Sequence, residues 1–202
     1  MRLPSGGALL VEGSGAGTPA LFLSAGKAGA DAWRPQREAL ATSFRLFVWE
    51  PRVRAALDDY YRDAKEALAE VVDATRKPAV VVGESLGGLL ALALAADVGG
   101  GVAGLFLIDP VYATGREPLL RVRPRVGGLP LGGFKLRDFA KDVADPTFLL
   151  ERSRAGRGLR NRRLVRILRE RLGDQFTYES IPGGPAGKVN ARLRTFLEEM
   201  DR

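Results

Sequence analysis

The sequence predicts an α/β protein with a mostly parallel sheet flanked by helices. Short strand-like and helix-like segments alternate through the first half of the chain, as crossover-linked parallel strands require. The apolar runs Val80-Val81-Val82 and Leu105-Phe106-Leu107 are continuous rather than alternating, which fits strands covered on both faces. Between residues 79 and 96 a buried strand runs straight into Gly83-Glu84-Ser85-Leu86-Gly87 and then into an apolar helix. That junction leaves room only for a sharp turn.

The elements follow in order. Residues 8–12 form a short strand candidate, and Gly13-Ser14-Gly15-Ala16-Gly17 is a connecting turn, lacking both the G-x-G-x-x-G spacing and a Walker lysine. Ala20–Leu23 is a second strand, Trp33–Thr42 an amphipathic helix, and Phe44–Trp49 a third strand stopped by Pro51. Residues 54–75 carry apolar side chains at 56, 57, 60, 61, 64, 67, 68, 71 and 72, close to helical spacing. Pro78 ends that helix before the strand Ala79–Val82. A helix over 85–96 follows, Gly99–Gly101 breaks it, and Val102–Ile108 is the next strand. Residues 113–150 hold prolines at 118, 124, 130 and 146, with one helix start near Lys135. A last strand is expected at Gln175–Ile181 and a last helix at Val189–Met200. The frame is one domain over residues 1–202, with 113–174 as a lid- or cap-like insertion.

Composition narrows the function classes. The chain has 202 residues, no cysteine and no histidine. Disulfides and thiolate chemistry are excluded, and a metal site would have to be all-carboxylate, so none is expected. No apolar run approaches the ~20 residues of a membrane span. The start lacks the apolar core of a signal peptide, so a cytoplasmic setting is expected. Residues 1–112 hold 11 Lys/Arg against 13 Asp/Glu, and residues 113–202 hold 20 against 11. Arginine outnumbers lysine 25 to 6, a bias GC-rich codons produce by themselves. Nine arginines fall in residues 151–172, with Leu164, Val165, Ile167, Leu168 and Leu172 as one apolar stripe. This block reads as a solvated helix face or as an anion-binding lid, with Arg160, Arg163 and Arg166 as candidate ligand-binding residues. Interleaved aromatics for base stacking are lacking, which disfavours sequence-specific nucleic-acid binding.

Gly83-Glu84-Ser85-Leu86-Gly87 is the G-x-S-x-G pattern of a nucleophilic serine. A serine between a buried strand and a helix sits in a strained turn whose flanking glycines avoid collisions. The turn lifts the hydroxyl above the sheet edge and aims the Leu86 N–H and the helix N-terminus at the same spot. The alternative is a tight turn kept for packing.

At this point the chain resembles the α/β-hydrolase superfamily. "VEGSGAGTPALFLSAGKAGADAWRPQREALATSFRLFVWEPR" resembles the family's opening, "GVAGLFLIDP" its strand after the elbow helix, and "FTYESIPGGPAGKVNARLRTFLEE" its final strand and helix. The resemblance implies a Ser85 nucleophile elbow, an oxyanion loop after Leu23 with Gly26 as second backbone donor beside Leu86, and a cap in the 113–174 region. It also exposes departures. Where the family runs from the second strand into His-Gly, this chain has Ser24-Ala25-Gly26-Lys27. Where it carries its catalytic histidine, only Gly183-Gly184-Pro185-Ala186-Gly187-Lys188 joins the last strand to the last helix. The strand that usually bears the acid is not visible in the sequence, and Asp109 is the best-placed carboxylate. Lys27, Lys188, Glu84 and Asp109 are the candidates for a replacement base, and a partner chain or homo-oligomer could supply one instead.

Two functions are therefore expected. The first is an enzyme without cofactor, leaning on Ser85 to act on a small carbonyl or acyl compound, anionic types such as acyl-CoA included. It would work by weak ester or thioester hydrolysis, or by lyase, cyclase or isomerase chemistry. The second is an inactive pseudo-hydrolase that serves as a binding or interaction module.

Overall fold

The computed structural model describes residues 1–24, 29–52, 56–112, 125–126, 129–135, 137–153, 161–183 and 185–202. Its described strands are β1 (Ala8–Glu12), β2 (Ala20–Leu23), β3 (Leu46–Glu50), β4 (Ala79–Glu84), β5 (Val102–Ile108), β6 (Arg125–Val126), β7 (Leu129–Pro130), β8 (Thr147–Ser153) and β9 (Phe176–Pro182). Seven of them form the central sheet in the order β1-β3-β2-β4-β5-β8-β9, and β6 and β7 form a separate ribbon. Within the large sheet only β1 runs antiparallel, against β3. The expected mostly parallel α/β fold is what the chain adopts, with β4 the middle strand of the seven.

Among the described residues five α-helices cover the sheet: α1 (Arg34–Leu40), α2 (Leu57–Thr75), α3 (Leu86–Asp97), α4 (Arg162–Leu172) and α5 (Ala186–Met200). Alternate residues of each strand feed two cores. Leu21, Val81 and Leu105 pack with α2, α3 and α4 on one face. Phe22, Val80, Val82 and Phe106 pack with α1 and α5 on the other. Phe106 stacks on Phe148 at 5.0 Å and both meet Phe196 of α5. A fully buried phenylalanine contributes about 1.5–3 kcal/mol, so this cluster fixes α5 to β5 and β8. Helix α3 is apolar all round because it is wedged between the sheet and α2, and residues 86–94 are all buried.

Boundaries moved where capping won over periodicity. Helix α1 starts after a 3₁₀ turn at Gly29–Trp33. It ends at Leu40, whose carbonyl accepts the N–H groups of Ser43 and Phe44 at 3.0 Å, so β3 begins only at Leu46. Helix α5 starts three residues early, directly after Pro185, whose extended backbone (φ −60°, ψ 142°) is that of an N-cap residue. Near Lys135 the structure has a 3₁₀ turn at Phe139–Lys141 rather than a helix.

The main correction concerns residues 113–174. Residues 147–153, expected within an insertion, are β8, paired in parallel with both β5 and β9. Helix α4 is the crossover from β8 to β9, its Leu164, Val165 and Leu168 buried in the sheet's core. Residues 129–135 and 137–146 run along the α2–α3 flank. There Asp58 N–H donates to the Leu131 carbonyl at 3.2 Å, and Phe134 meets Tyr61 and Phe139. Residues 113–124 lie outside the described residues. No described helix is long and apolar enough to cross a membrane.

Candidate active site at the Ser85 turn

Ser85 sits where β4 ends and α3 begins, with φ 53° and ψ −116°. A non-glycine residue held there costs about 1–3 kcal/mol, so neighbouring structure must impose it. It does so through three backbone bonds. Ser85 N–H donates to the Ile108 carbonyl at 3.0 Å, and the Ser85 carbonyl accepts Gly88 N–H at 3.1 Å and Val111 N–H at 2.8 Å. The flanking glycines are sterically required. A Cβ on Gly83 would lie 2.5 Å from the Gly87 carbonyl oxygen, and one on Gly87 would lie 2.1 Å from that of Leu23.

The consequence is chemical. Ser85 occupies the N-cap position of α3, yet its side chain makes no capping bond. Ser85 is exposed. As the first residue of α3, Leu86 keeps an N–H without an intrahelical partner. The close approach of Gly87 to Leu23 also places the end of β2 against the start of α3. The loop leaving β2 is tied at its two ends, where the buried Ser24 hydroxyl donates to the Gly29 carbonyl at 2.6 Å. Gly26 and Lys27, the expected oxyanion donor and base candidate, lie outside the described residues.

Asp109, directly after β5, is drawn into this corner. Its φ is 42°, and its N–H donates to the Leu150 carbonyl at 3.0 Å. Its carboxylate is not free, because Oδ1 accepts the Arg152 backbone N–H at 2.8 Å and Oδ2 accepts Arg152 Nε at 2.6 Å. Arg152 Nη2 also donates to Glu84, the residue before Ser85. Burial alone would lower the Arg152 pKa, but hydrogen bonds and charge from Asp109 and Glu84 hold it above the usual arginine value. Both carboxylates named as candidate bases are thus occupied by one guanidinium. Arg152 itself went unrecognised in the sequence. The available signal was a polar pair, Glu151-Arg152, closing an apolar run, the pattern of a strand reaching the ligand-binding edge of a parallel sheet.

Glu151 points to the opposite face, buried, where it accepts the Tyr178 hydroxyl at 2.9 Å. Burial, then this bond, pushes the phenol up to about 12. Lys188 is exposed on the first turn of α5. Arg163 pairs with Asp138 at 3.0 Å, and Arg166 faces Glu170 at 3.9 Å along α4. Arg160 lies outside the described residues. An open groove of about 560 Å³ runs beside α1, lined by Glu12, Asp31, Arg34, Arg37 and Glu38. Its charges largely satisfy one another, as Arg34 with Asp31 and Arg37 with Glu12.

A family model described as the alpha/beta hydrolase family matches residues 9–195. Among solved structures, the chain is similar to a thermophilic esterase from Thermogutta terrifontis at 20% identity and TM-score 0.74, covering 97% of this chain and 94% of that one. It is similar to N-formylmaleamic acid deformylase from Pseudomonas putida at 15% identity and TM-score 0.69, with 94% and 96% covered. Similarity extends to a monoacylglycerol lipase from Paleococcus ferrophilus at 13% identity and TM-score 0.69, with 99% and 100% covered. No curated protein sequence gives a significant match.

Proposed function

The chain belongs to the alpha/beta hydrolase family, and on that premise we propose that it acts on a small acyl or carbonyl compound at Ser85, without an imidazole. The observation that carries this reading is the Ser85 turn: a strained, exposed serine at the N-cap of α3, at the end of the middle strand, whose side chain makes no capping bond. In this reading the substrate carbonyl lies against Leu86 N–H, which stabilises the negative charge that develops on its oxygen. Ser85 either adds to the carbonyl carbon or donates its O–H to the carbonyl oxygen. The similar esterase, deformylase and lipase all cleave acyl groups by name, which favours ester or thioester hydrolysis over lyase, cyclase or isomerase chemistry.

Turnover would be slow. A serine hydroxyl is weakly nucleophilic without an adjacent base. Oxyanion donors and binding alone supply about 10³–10⁴-fold over water. One observation favours the second reading, a pseudo-hydrolase that binds without reacting: Arg152 occupies both Glu84 and Asp109, leaving neither carboxylate unpaired as a base. A fluorophosphonate probe separates the two. An activated Ser85 displaces fluoride, forming an Oγ–P bond as the P–F bond breaks and the hydroxyl proton passes to solvent. Intact-mass and peptide mass spectrometry should find the adduct on Ser85, and no adduct after Ser85→Ala. A wild-type chain that stays unlabelled at high probe concentration would favour the binding-module reading.

A further inference from the structure

We infer that Arg152 is a positioning residue for Ser85, tying the ends of three adjacent strands and holding in place the two strained turns that shape the site. This deepens the Ser85 reading and rests on it. Ser85 and Asp109 are two of three non-glycine residues with positive φ among the described residues. They close neighbouring strands, β4 and β5, and are joined through Ser85 N–H to Ile108 and Val111 N–H to Ser85. Such conformations persist only when the surroundings over-determine them.

Arg152 comes from β8, the next strand across. Its backbone N–H and Nε grip both oxygens of Asp109, while Nη2 reaches past β5 to Glu84 on β4. The side chain therefore spans the ends of β8, β5 and β4, and it acts on one strained residue, Asp109, and on Glu84, which precedes the other. Charge makes the role one-directional. Without the guanidinium, two carboxylates at adjacent strand ends repel each other and lose two donated hydrogen bonds, while the Arg152 backbone N–H stays on Asp109. The planar fork matters as much as the charge, since a lysine ammonium cannot present donors in that fixed geometry. Arg152 acts through Glu84 and Asp109 and not by touching the reacting atoms.

The test is hydrogen exchange at the amides that define the corner, Ser85, Asp109 and Val111, compared with the core amides of Val81 and Phe106. It uses the full chain as wild type, Arg152→Met and Arg152→Lys, alongside the rate of fluorophosphonate labelling. Loss of the fork should speed exchange at the corner by roughly tenfold or more while leaving the core amides protected. Displacing the Ser85 oxygen by about 1 Å should slow labelling by up to ~10²-fold. Lysine should fall between methionine and wild type, and it carries the test if Arg152→Met does not fold. Wild-type exchange at all three corner amides in the variants overturns the inference. Faster corner exchange in a protein whose wild-type Ser85 never labels supports the positioning role and removes the catalytic reading instead.

Discussion

A methyl group added to Gly87 would stand 2.1 Å from the Leu23 carbonyl oxygen, and neither backbone can retreat, because both lie in the packed junction of β2 and α3. Gly87→Ala should therefore cost about 1–3 kcal/mol, the range of core overpacking. Gly187, with open space around its Cβ position inside α5, gives the opposite result. Gly187→Ala should stabilise by about 0.4–1 kcal/mol through helix propensity and unfolded-state entropy. Urea melts of the two variants check both signs. These positions differ in legibility for a physical reason. Gly83, Ser85 and Gly87 are local, so their spacing between an apolar strand and an apolar helix suffices to place the turn. Arg152 is defined by Asp109 and Glu84, 43 and 68 residues earlier, and by a strand pairing that no local pattern encodes. Its one local signal, the Glu151-Arg152 pair closing an apolar run, is masked by the eight further arginines that follow it up to residue 172.

Among the strands of the large sheet, β8 is the one the local sequence pattern hides. Thr147-Phe148-Leu149-Leu150 is a short apolar run, and Glu151-Arg152 after it reads as the opening of the basic block. Charged residues are tolerated there because each has a fixed partner. Glu151 has Tyr178, and Arg152 has Asp109 and Glu84. Once β8 is in the sheet, α4 becomes a packed crossover helix with its arginines turned outward. Leu164, fully buried in α4, gives the discriminating substitution. Leu164→Ala should lower global stability by about 2–5 kcal/mol, whereas Arg166→Gln, with its side chain 71% exposed, should change it by less than about 0.5 kcal/mol. A helix that served only as a detached lid would melt without affecting the sheet, and Leu164→Ala would then leave the denaturation midpoint unchanged.

At the scale of the whole molecule, the mostly parallel sheet brings the ends of β4, β5 and β8 to one edge, where Ser85, Asp109 and Arg152 meet. The alternation of elements made that edge legible in advance. The chemistry done there was less so, because the sequence departs from its family at the base. If Ser85 is the reacting group of a site that runs without an imidazole, the pH profile of its turnover differs from that of a histidine-dependent one. The most direct measurement is the rate of p-nitrophenyl acetate hydrolysis between about pH 5 and 9, for wild type and Ser85→Ala, since a histidine base would titrate near ~6.5. Turnover should be slow, depend on Ser85 and show no inflection near that value. Equal rates in the two proteins, or fast turnover that breaks near pH ~6.5, would contradict this reading.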